Sequence, residues 1–485
     1  MTIAPQSSHR DGPSSPLVVG LDVGTTALKA IVVDEDATVV ERTRLPSALC
    51  TGPGGQLEHD AGVTWWQSPR IAVARLLSQP GAGRVRAVAV SAMMPSVGAV
   101  NASGKPLGPG LLYGDRRRHQ ATGAGQPSEP AAPAGGSDPT ASDEMARLAG
   151  WVASQEPAAS GYWPAQAVAN ASLGGEGVMD LASAFATGPL FNGATWDQAA
   201  CAGAGLLPEQ LPRVAMFGEA VGEVRPDAVP DGWDGELVLA AGSVDGLCEQ
   251  LVAGAVRDGD VLVALGSTLV VWLCVPGWPD EVPGLWRVPH LAAGKAMVGG
   301  ASNAGGLWVD WADRALRPEA PGQGEEVKPG EVPLWWPWAR GERVPWHDPG
   351  LRIGMYGGEI SHGPPALRRA ALEASGFVVR YIVARAALTG TTPKRFIVSG
   401  GGVSNPAWLQ ALADVLAEPV MPMAVPEGAA LGAAFLARLA AGLETSTDDA
   451  RRWARWSEPV GPRPEWAEAC AARYDLWCGR LPGRA

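Results

Sequence analysis

Two short segments, one near the start of the chain and one past its middle, share a pattern that restricts the fold. Residues 18–34 read VVGLDVGTTALKAIVVD, and residues 261–273 read VLVALGSTLVVWL. Each consists of an apolar strand, a turn of glycine and hydroxyl residues, and a second apolar strand, which is typical of a β-hairpin. Each half continues with alternating strand-like and helical patterns, so the sequence predicts an α/β protein with two similarly built domains.

The length of the chain agrees with two domains. At 485 residues it is longer than one hydrophobic core normally supports, and two domains of roughly 200 residues or more are expected. Hydrophobicity patterns predict the order β-β-β-α-β over residues 17–115, and a Gly-, Pro-, Ala- and Ser-rich stretch at 119–142 indicates a loop or mobile insertion. The predicted organisation is a disordered tail (1–16), an N-terminal domain (17–235), a C-terminal domain (236–460) and a C-terminal extension (461–485).

Charge and hydropathy narrow the range of partners. The net charge is −12 and there is no basic stripe, so nucleic acid is not an expected partner. No run approaches the ~18 apolar residues of a membrane span, and the polar start lacks the apolar core of a signal peptide, which indicates a cytoplasmic protein. The six cysteines are scattered and the histidines lack the spacing of zinc ligands, so we expect reduced thiols and no zinc site.

The first hairpin carries polar residues where a plain hairpin needs none. Asp22 ends an apolar strand, and Gly24, Thr25 and Thr26 form the turn before Lys29. Backbone N–H groups of such a turn can form an anion site, to which hydroxyl donors and a cation contribute. A buried carboxylate is costly unless it is paired or lies near a metal ion. The alternative is an ordinary hairpin with an exposed aspartate.

The second half repeats this arrangement. Asp245 lies in a Gly-flanked turn that enters a helical run, and Gly266, Ser267 and Thr268 form a second hydroxyl-bearing turn between apolar strands. Two candidate phosphate turns at matching places in two domains are less expected by chance than one. An aspartate at a helix start is, taken alone, commonly an N-cap.

A third segment, FIVSGGGVSNPAWLQALADVL at 396–416, reads as a strand, three glycines and a helix. Gly400 and Gly401 would let a flat ring or a phosphate approach the backbone, and Asn405 stands at the helix start. The segment is neither a Walker A loop nor a dinucleotide-binding motif. By itself it is equally well explained as a plain strand-to-helix turn.

Together with LYGDRRR, GGASNAGGLWVDW and RGERVPWHDPGLRIGMYGG, these segments resemble the FGGY carbohydrate kinases in order and spacing, over residues 17 to 445. The likeness is strongest to the xylulokinase branch and its ribulokinase-like relatives. It implies two ribonuclease H-like domains of the actin, hexokinase and heat-shock-chaperone ATPase superfamily, with ATP and sugar in the central cleft.

The resemblance assigns expected roles to matching residues. Asp22 would lie by Mg²⁺ and the γ-phosphate, and Asp245 would be the catalytic base. The residues expected to bind the nucleotide are Gly24, Thr25, Thr26, Lys29, Gly266, Ser267, Thr268, Gly400, Gly401 and Asn405.

On the sugar side, Asp115 and Arg117 match the family's sugar signature, although Tyr113 stands where the family usually has tryptophan. Met93 and Met94 match a segment that in xylulokinases usually reads Gly-Gln-Met-His-Gly. Here Met93 and Pro95 replace the Gln and His that would read a sugar hydroxyl. This departure predicts relaxed specificity, or a substrate without the hydroxyl that those residues read.

The expected function is transfer of the γ-phosphoryl of ATP, with Mg²⁺, to a ketopentose, D-xylulose first. The alternatives in the same family are D-ribulose, gluconate or polyol kinases. From another class, the chain could be an ATP-binding regulatory protein without sugar transfer, which the presence of both Asp22 and Asp245 disfavours. The expected partners are sugar and ATP, with no nucleic acid and no membrane, and a homodimer stays open.

Overall fold

The computed structural model describes residues 15–115, 117, 142–290, 294–316, 327–425 and 427–481. The tail predicted at 1–16 and the insertion predicted at 119–142 lie outside these ranges, apart from residues 15, 16 and 142.

The strands follow the predicted hairpins. They are β1 (Leu17–Val23), β2 (Ala27–Val33), β3 (Val39–Pro46), β4 (Leu49–Gly52), β5 (Gln56–His59), β6 (Val85–Ala92), β7 (Ser96–Val100), β8 (Gly110–Leu112), β9 (Gly161–Trp163), β10 (Val178–Asp180), β11 (Arg213–Ala215), β12 (Ala220–Glu223), β13 (Val238–Val244), β14 (Asp260–Leu265), β15 (Leu269–Pro276), β16 (Trp286–Pro289), β17 (Lys295–Ser302), β18 (Leu334–Trp336), β19 (Gly354–Tyr356), β20 (Arg395–Ser399) and β21 (Val420–Pro422).

The helices lie between and around these strands. They are α1 (Ser68–Leu77), α2 (Ser142–Gln155), α3 (Ala165–Gly174), α4 (Leu181–Phe185), α5 (Gln198–Gly203), α6 (Asp245–Ala253), α7 (Gly306–Ala315), α8 (Pro364–Ala386), α9 (Pro406–Leu416), α10 (Gly428–Ala440) and α11 (Pro464–Cys478). Among the described residues, no helix combines the length and the apolar character needed to cross a bilayer.

The two main sheets have the same core topology. The first has the order β12-β13-β6-β1-β2-β3, and the second has the order β16-β17-β15-β14-β20-β21. In the first sheet β1 is antiparallel to β2 and parallel to β6. In the second sheet β14 is antiparallel to β15 and parallel to β20. The repeat that the two hairpins predicted is therefore confirmed at the level of strand order and direction.

The chain leaves the first sheet later than the predicted domain boundary at residue 235. Strand β13 pairs in parallel with β6 and so lies in the first sheet, although the sequence predicts it in the C-terminal domain. Helices α6 and α10 share one hydrophobic cluster with residues of both sheets, including Val18 of β1 and Leu262 of β14. The chain thus passes from the first lobe to the second through α6, which places Asp245 where the lobes meet.

The segment 461–485 is not a peripheral extension over its described part. Helix α11 buries Trp477 and Cys470 in the hydrophobic core of the second lobe. The indole Nε1 of Trp477 donates a hydrogen bond to the carbonyl of Trp335 at 3.1 Å. Helix α11 therefore belongs to the C-terminal domain, because its apolar face completes that domain's core.

Candidate active site

The first hairpin buries its aspartate opposite its lysine. Asp22 of β1 pairs in register with Lys29 of β2, and the Lys29 Nζ lies 3.8 Å from Asp22 Oδ2. Asp22 is only 7% exposed. Burial raises the pKa of Asp22, and the nearby Lys29 ammonium opposes that effect. The alternative of a solvent-exposed aspartate is therefore wrong.

A buried histidine, His59, stabilises the turn after Asp22 by a hydrogen bond. His59 Nε2 lies 2.8 Å from the Thr25 carbonyl oxygen, and the indole N–H of Trp65 donates to His59 Nδ1 at 3.0 Å. Because Nδ1 accepts, the ring hydrogen is on Nε2 and is donated to Thr25. Burial lowers the pKa of His59, so the ring supports the turn as a neutral group. Thr26 is exposed on the same turn.

Asp245 is the first residue of α6, at the junction between the lobes. Its Oδ1 accepts a hydrogen bond from the N–H of Gly246 at 2.7 Å, and it caps no helix. Burial, followed by the nearby Asp22 and Glu249 carboxylates, raises the pKa of Asp245 to about 8. A carboxylate held in this range is an effective proton acceptor near neutral pH.

Glu249 is a third carboxyl group of the site, and sequence reasoning missed it. It accepts a hydrogen bond from the Ser399 hydroxyl at 2.8 Å, and burial raises its pKa to about 7, with the charge of Asp22 acting in the same direction. Glu249 is therefore hydrogen-bonded to the end of β20, just before Gly400, and interacts electrostatically with Asp22 of the first hairpin. Its spacing of one helical turn from Asp245 was the available signal.

The second turn is built by close backbone packing. The N–H groups of Gly306 and Leu307, at the start of α7, donate to the carbonyls of Gly266 and Ser267 at 2.8 and 3.0 Å. A Cβ at Gly305 would lie 2.2 Å from a backbone atom of Thr268, so glycine is required there. Phosphate contacts by Gly266, Ser267 and Thr268 stay a prediction.

The third segment, residues 396–416, packs against the strand end that precedes this turn. Gly400 has φ +82°, and a Cβ there would meet the Leu265 carbonyl at 2.8 Å. Gly401 faces open space. Asn405 caps α9, with its Oδ1 accepting from the Trp408 N–H at 3.2 Å. The bare loop surface fits the approach of a flat ring, whereas the described contact of Asn405 is structural.

The structure does not bring Asp115 to the surface of the cleft. Asp115 is 0% exposed; its Oδ2 accepts from the N–H of Leu57 at 2.9 Å, and it forms a salt bridge with Arg117 at 2.7 Å. Arg117 also pairs with Glu58 and lies over the ring of Trp151, 5.1 Å from its centroid. These contacts support the loop, and a direct sugar contact by Asp115 or Arg117 stays a prediction.

Met93 and Met94 differ in burial. Met93 is 2% exposed and packs in the core of the first lobe, whereas Met94 is partly buried against the cluster that contains Phe191. Met94 is therefore the better placed of the two to reach a ligand.

An arginine of the second lobe reaches the sugar-side loop of the first lobe. The Arg343 guanidinium lies 5.2 Å from the ring centroid of Tyr113 and 5.2 Å from that of Trp286. Arg343 is half-buried, and its Nε has no hydrogen-bond partner among the described residues. The Arg343 charge also acts on Asp245, lowering its pKa against the larger effect of burial. The sugar-side loop, the base candidate and a cation thus meet at one place.

Family models match both lobes. The model for the N-terminal domain of the FGGY family of carbohydrate kinases matches residues 17–124, and the model for the C-terminal domain matches residues 267–441. The chain belongs to the FGGY family. It is similar to a xylulose kinase of Streptomyces coelicolor, with 30% identity over 97% of both chains. It is also similar to a gluconokinase of Bacillus subtilis, with 25% identity over 89% of each.

The solved structures agree with this assignment. The xylulose kinase from Rhodospirillum rubrum superposes with a TM-score of 0.77 at 26% identity, covering 96% of this chain and 98% of that one. This FGGY protein therefore has the two-domain actin and hexokinase ATPase fold and is a carbohydrate kinase, an ATP-using phosphotransferase. The alternative of a regulatory protein without phosphoryl transfer is not supported.

Proposed function

We propose that this FGGY kinase transfers the γ-phosphoryl group of ATP to a hydroxyl of a ketopentose, with D-xylulose as the first candidate. The observation that carries the proposal is the position of Asp245, a carboxyl group of raised pKa at the junction of the lobes and near Asp22. The similarity to xylulose kinases over nearly the whole chain supports D-xylulose.

Each cleft residue has a defined part in this mechanism. Asp245 accepts the proton of the attacking sugar hydroxyl, which makes that oxygen a better nucleophile. The turns at Gly24–Thr26 and Gly266–Thr268 present N–H and hydroxyl donors to the phosphates. Lys29 and Arg343 supply positive charge where negative charge develops. Closure of the lobes would exclude water and so limit hydrolysis of ATP.

The residues at the junction of the lobes are suited to bind a nucleotide together with Mg²⁺. Within the described residues no group of three or more potential protein ligands forms a metal cage. Mg²⁺ with ATP is commonly held by one or two carboxylates, water and the phosphates, so Asp22 would be its protein contact. The bound ion would neutralise phosphate charge during transfer. Gly400 and Gly401 would border the adenosine.

D-gluconate is a second candidate, because Arg343 is a half-buried cation beside Tyr113 and Asp245. A guanidinium is well suited to bind a carboxylate, which gluconate has and D-xylulose lacks. The similarity to a gluconokinase agrees with this alternative.

A substrate panel tests the assignment. ADP release is measured with D-xylulose, D-ribulose, L-ribulose, ribitol and D-gluconate, with the Asp245→Asn variant as the control for sugar-dependent turnover. The highest kcat/KM for D-xylulose supports the proposal. The highest value for D-gluconate, with a strong loss in Arg343→Gln, would replace D-xylulose by the second candidate. A preference for ribitol would contradict both.

A further inference from the structure

Tyr113 lies between the sugar-side loop and the first phosphate turn. Its hydroxyl oxygen is 2.8 Å from the Thr25 Oγ1, and its backbone N–H donates to the Pro95 carbonyl at 3.0 Å. Tyr113 is only 6% exposed, so little of the ring is open to a ligand. The phenol is therefore engaged with the phosphate turn.

The same ring also contacts the second lobe. Tyr113 and Thr25 belong to the first lobe, whereas Arg343, over the Tyr113 ring at 5.2 Å, comes from the second. On its other side Arg343 lies over Trp286, also at 5.2 Å. A continuous series of contacts thus runs from Thr25 through Tyr113 and Arg343 to Trp286, across the junction of the lobes.

The chemistry of the two hydroxyls gives this contact a consequence. A hydroxyl has one hydrogen to donate and lone pairs to accept. If the Tyr113 O–H donates to Thr25 Oγ1, the Thr25 hydrogen is left for another acceptor. His59 Nε2 lies 2.8 Å from the Thr25 carbonyl oxygen, so both the backbone carbonyl and the side-chain hydroxyl of Thr25 are constrained. An oriented Thr25 O–H can then donate to a phosphate oxygen without reorganising.

We propose that Tyr113 is a positioning residue of the kinase reaction, which acts through Thr25. Its hydroxyl orients the Thr25 O–H towards the transferred phosphate, and its ring contacts Arg343 when the lobes are together. The proposal rests on the sugar kinase activity of the family and not on which sugar is preferred.

The test uses Tyr113→Phe, which keeps the ring and the Arg343 contact and removes only the hydroxyl. It is combined with Thr25→Val and with Thr25→Ser, and all variants are assayed with the best sugar of the panel. Tyr162→Phe is the matched control, because the buried Tyr162 donates its hydroxyl to the Glu156 carbonyl at 2.9 Å, outside the site.

We expect Tyr113→Phe to lower kcat about 3- to 10-fold, the range that one net hydrogen bond provides, with the sugar KM within about twofold of wild type. The loss should persist in the Thr25→Ser background and disappear in the Thr25→Val background, because the valine has no hydroxyl to orient. Tyr162→Phe should leave kcat within about twofold.

Two outcomes would overturn the proposal. One is an unchanged kcat in Tyr113→Phe, which together with an increased sugar KM would make Tyr113 a sugar contact. The other is an undiminished loss of kcat in the Thr25→Val background. If a sugar other than D-xylulose is preferred, only the substrate assignment fails. The kcat comparison among the variants then proceeds with that sugar.

Discussion

Asp245 and Glu249 lie one turn apart on helix α6, and each carboxyl group is close enough to Asp22 for their charges to interact. Three acidic side chains therefore lie within electrostatic range of one another at the junction of the lobes. Burial raises all three pKa values, and the charge of Asp22 raises those of Asp245 and Glu249 further. This arrangement favours the approach of a cation and keeps a proton acceptor near neutral pH.

Removal of the proposed base should separate catalysis from folding. Asp245→Asn keeps the size of the side chain but cannot accept the proton, so kcat should fall by roughly 10²-fold or more while nucleotide affinity is retained. Steady-state kinetics and calorimetric titration with an ATP analogue give the two readouts. A variant with near wild-type kcat would remove Asp245 from the mechanism.

The same substitution should stabilise the ligand-free protein. The pKa of Asp245 is raised from 3.8 to about 8, so between these pH values the folded state binds more protons than the unfolded chain. Stability then decreases as pH rises through this window. At pH 8 to 9, Asp245→Asn should raise Tm by about 2–4 °C, whereas at pH 4 the two proteins should agree. Thermal unfolding with the exposed Asp231→Asn as control checks the sign, and a lower Tm at pH 8 would contradict it.

The charge of Glu249 should be visible in the pH dependence of the reaction. Glu249 raises the pKa of Asp245, so Glu249→Gln should move the rising limb of kcat/KM to lower pH. Glutamine can still accept the Ser399 hydrogen bond, which leaves the loop supported. The pH profile is compared with that of Glu458→Gln, an exposed site. If the rising limb of the kcat/KM profile stays at the same pH, Glu249 acts only in packing.

The two candidate phosphate turns should close on the nucleotide. We expect the turns at 24–26 and 266–268 to face each other across the cleft, so that an ATP analogue together with sugar draws the lobes closer. Small-angle scattering should then show a smaller radius of gyration than for the free protein or for the protein with sugar alone. Equal radii in all three states would argue against closure.

Sugar discrimination should be modest, because Met94, the better placed of the two methionines, is apolar, and neither the buried Met93 nor Pro95 can pair with a hydroxyl. An apolar wall separates substrates by about 1–3 kcal/mol per group, whereas a site that pairs a hydroxyl reaches 10⁴-fold or more. The kcat/KM ratio between D-xylulose and D-ribulose should therefore stay below about 10⁴. A larger preference for D-xylulose would show that other groups read the hydroxyl.

The sequence by itself determined the two hairpins, the repeated lobe plan and the family. These features depend on short-range patterns, such as apolar runs around a Gly-hydroxyl turn, which act within a few residues. Asp22 was found in this way because it stands beside such a turn, and Asp245 because it lies in a Gly-flanked turn that enters a helical run. The domain boundary was misplaced because β13 joins the first sheet through long-range pairing with β6, which no local pattern encodes.

Only the tertiary structure decided which polar groups meet. Thr25 and Tyr113 are 88 residues apart, and Glu249 and Ser399 are 150 residues apart, yet each pair is joined by a hydrogen bond. Tertiary packing also turned Asp115 inwards to Leu57 and Arg117, and placed Met93 in the core. Side-chain direction and pKa depend on burial and on neighbours brought from distant parts of the chain, so they follow from the packed lobes and not from the motifs.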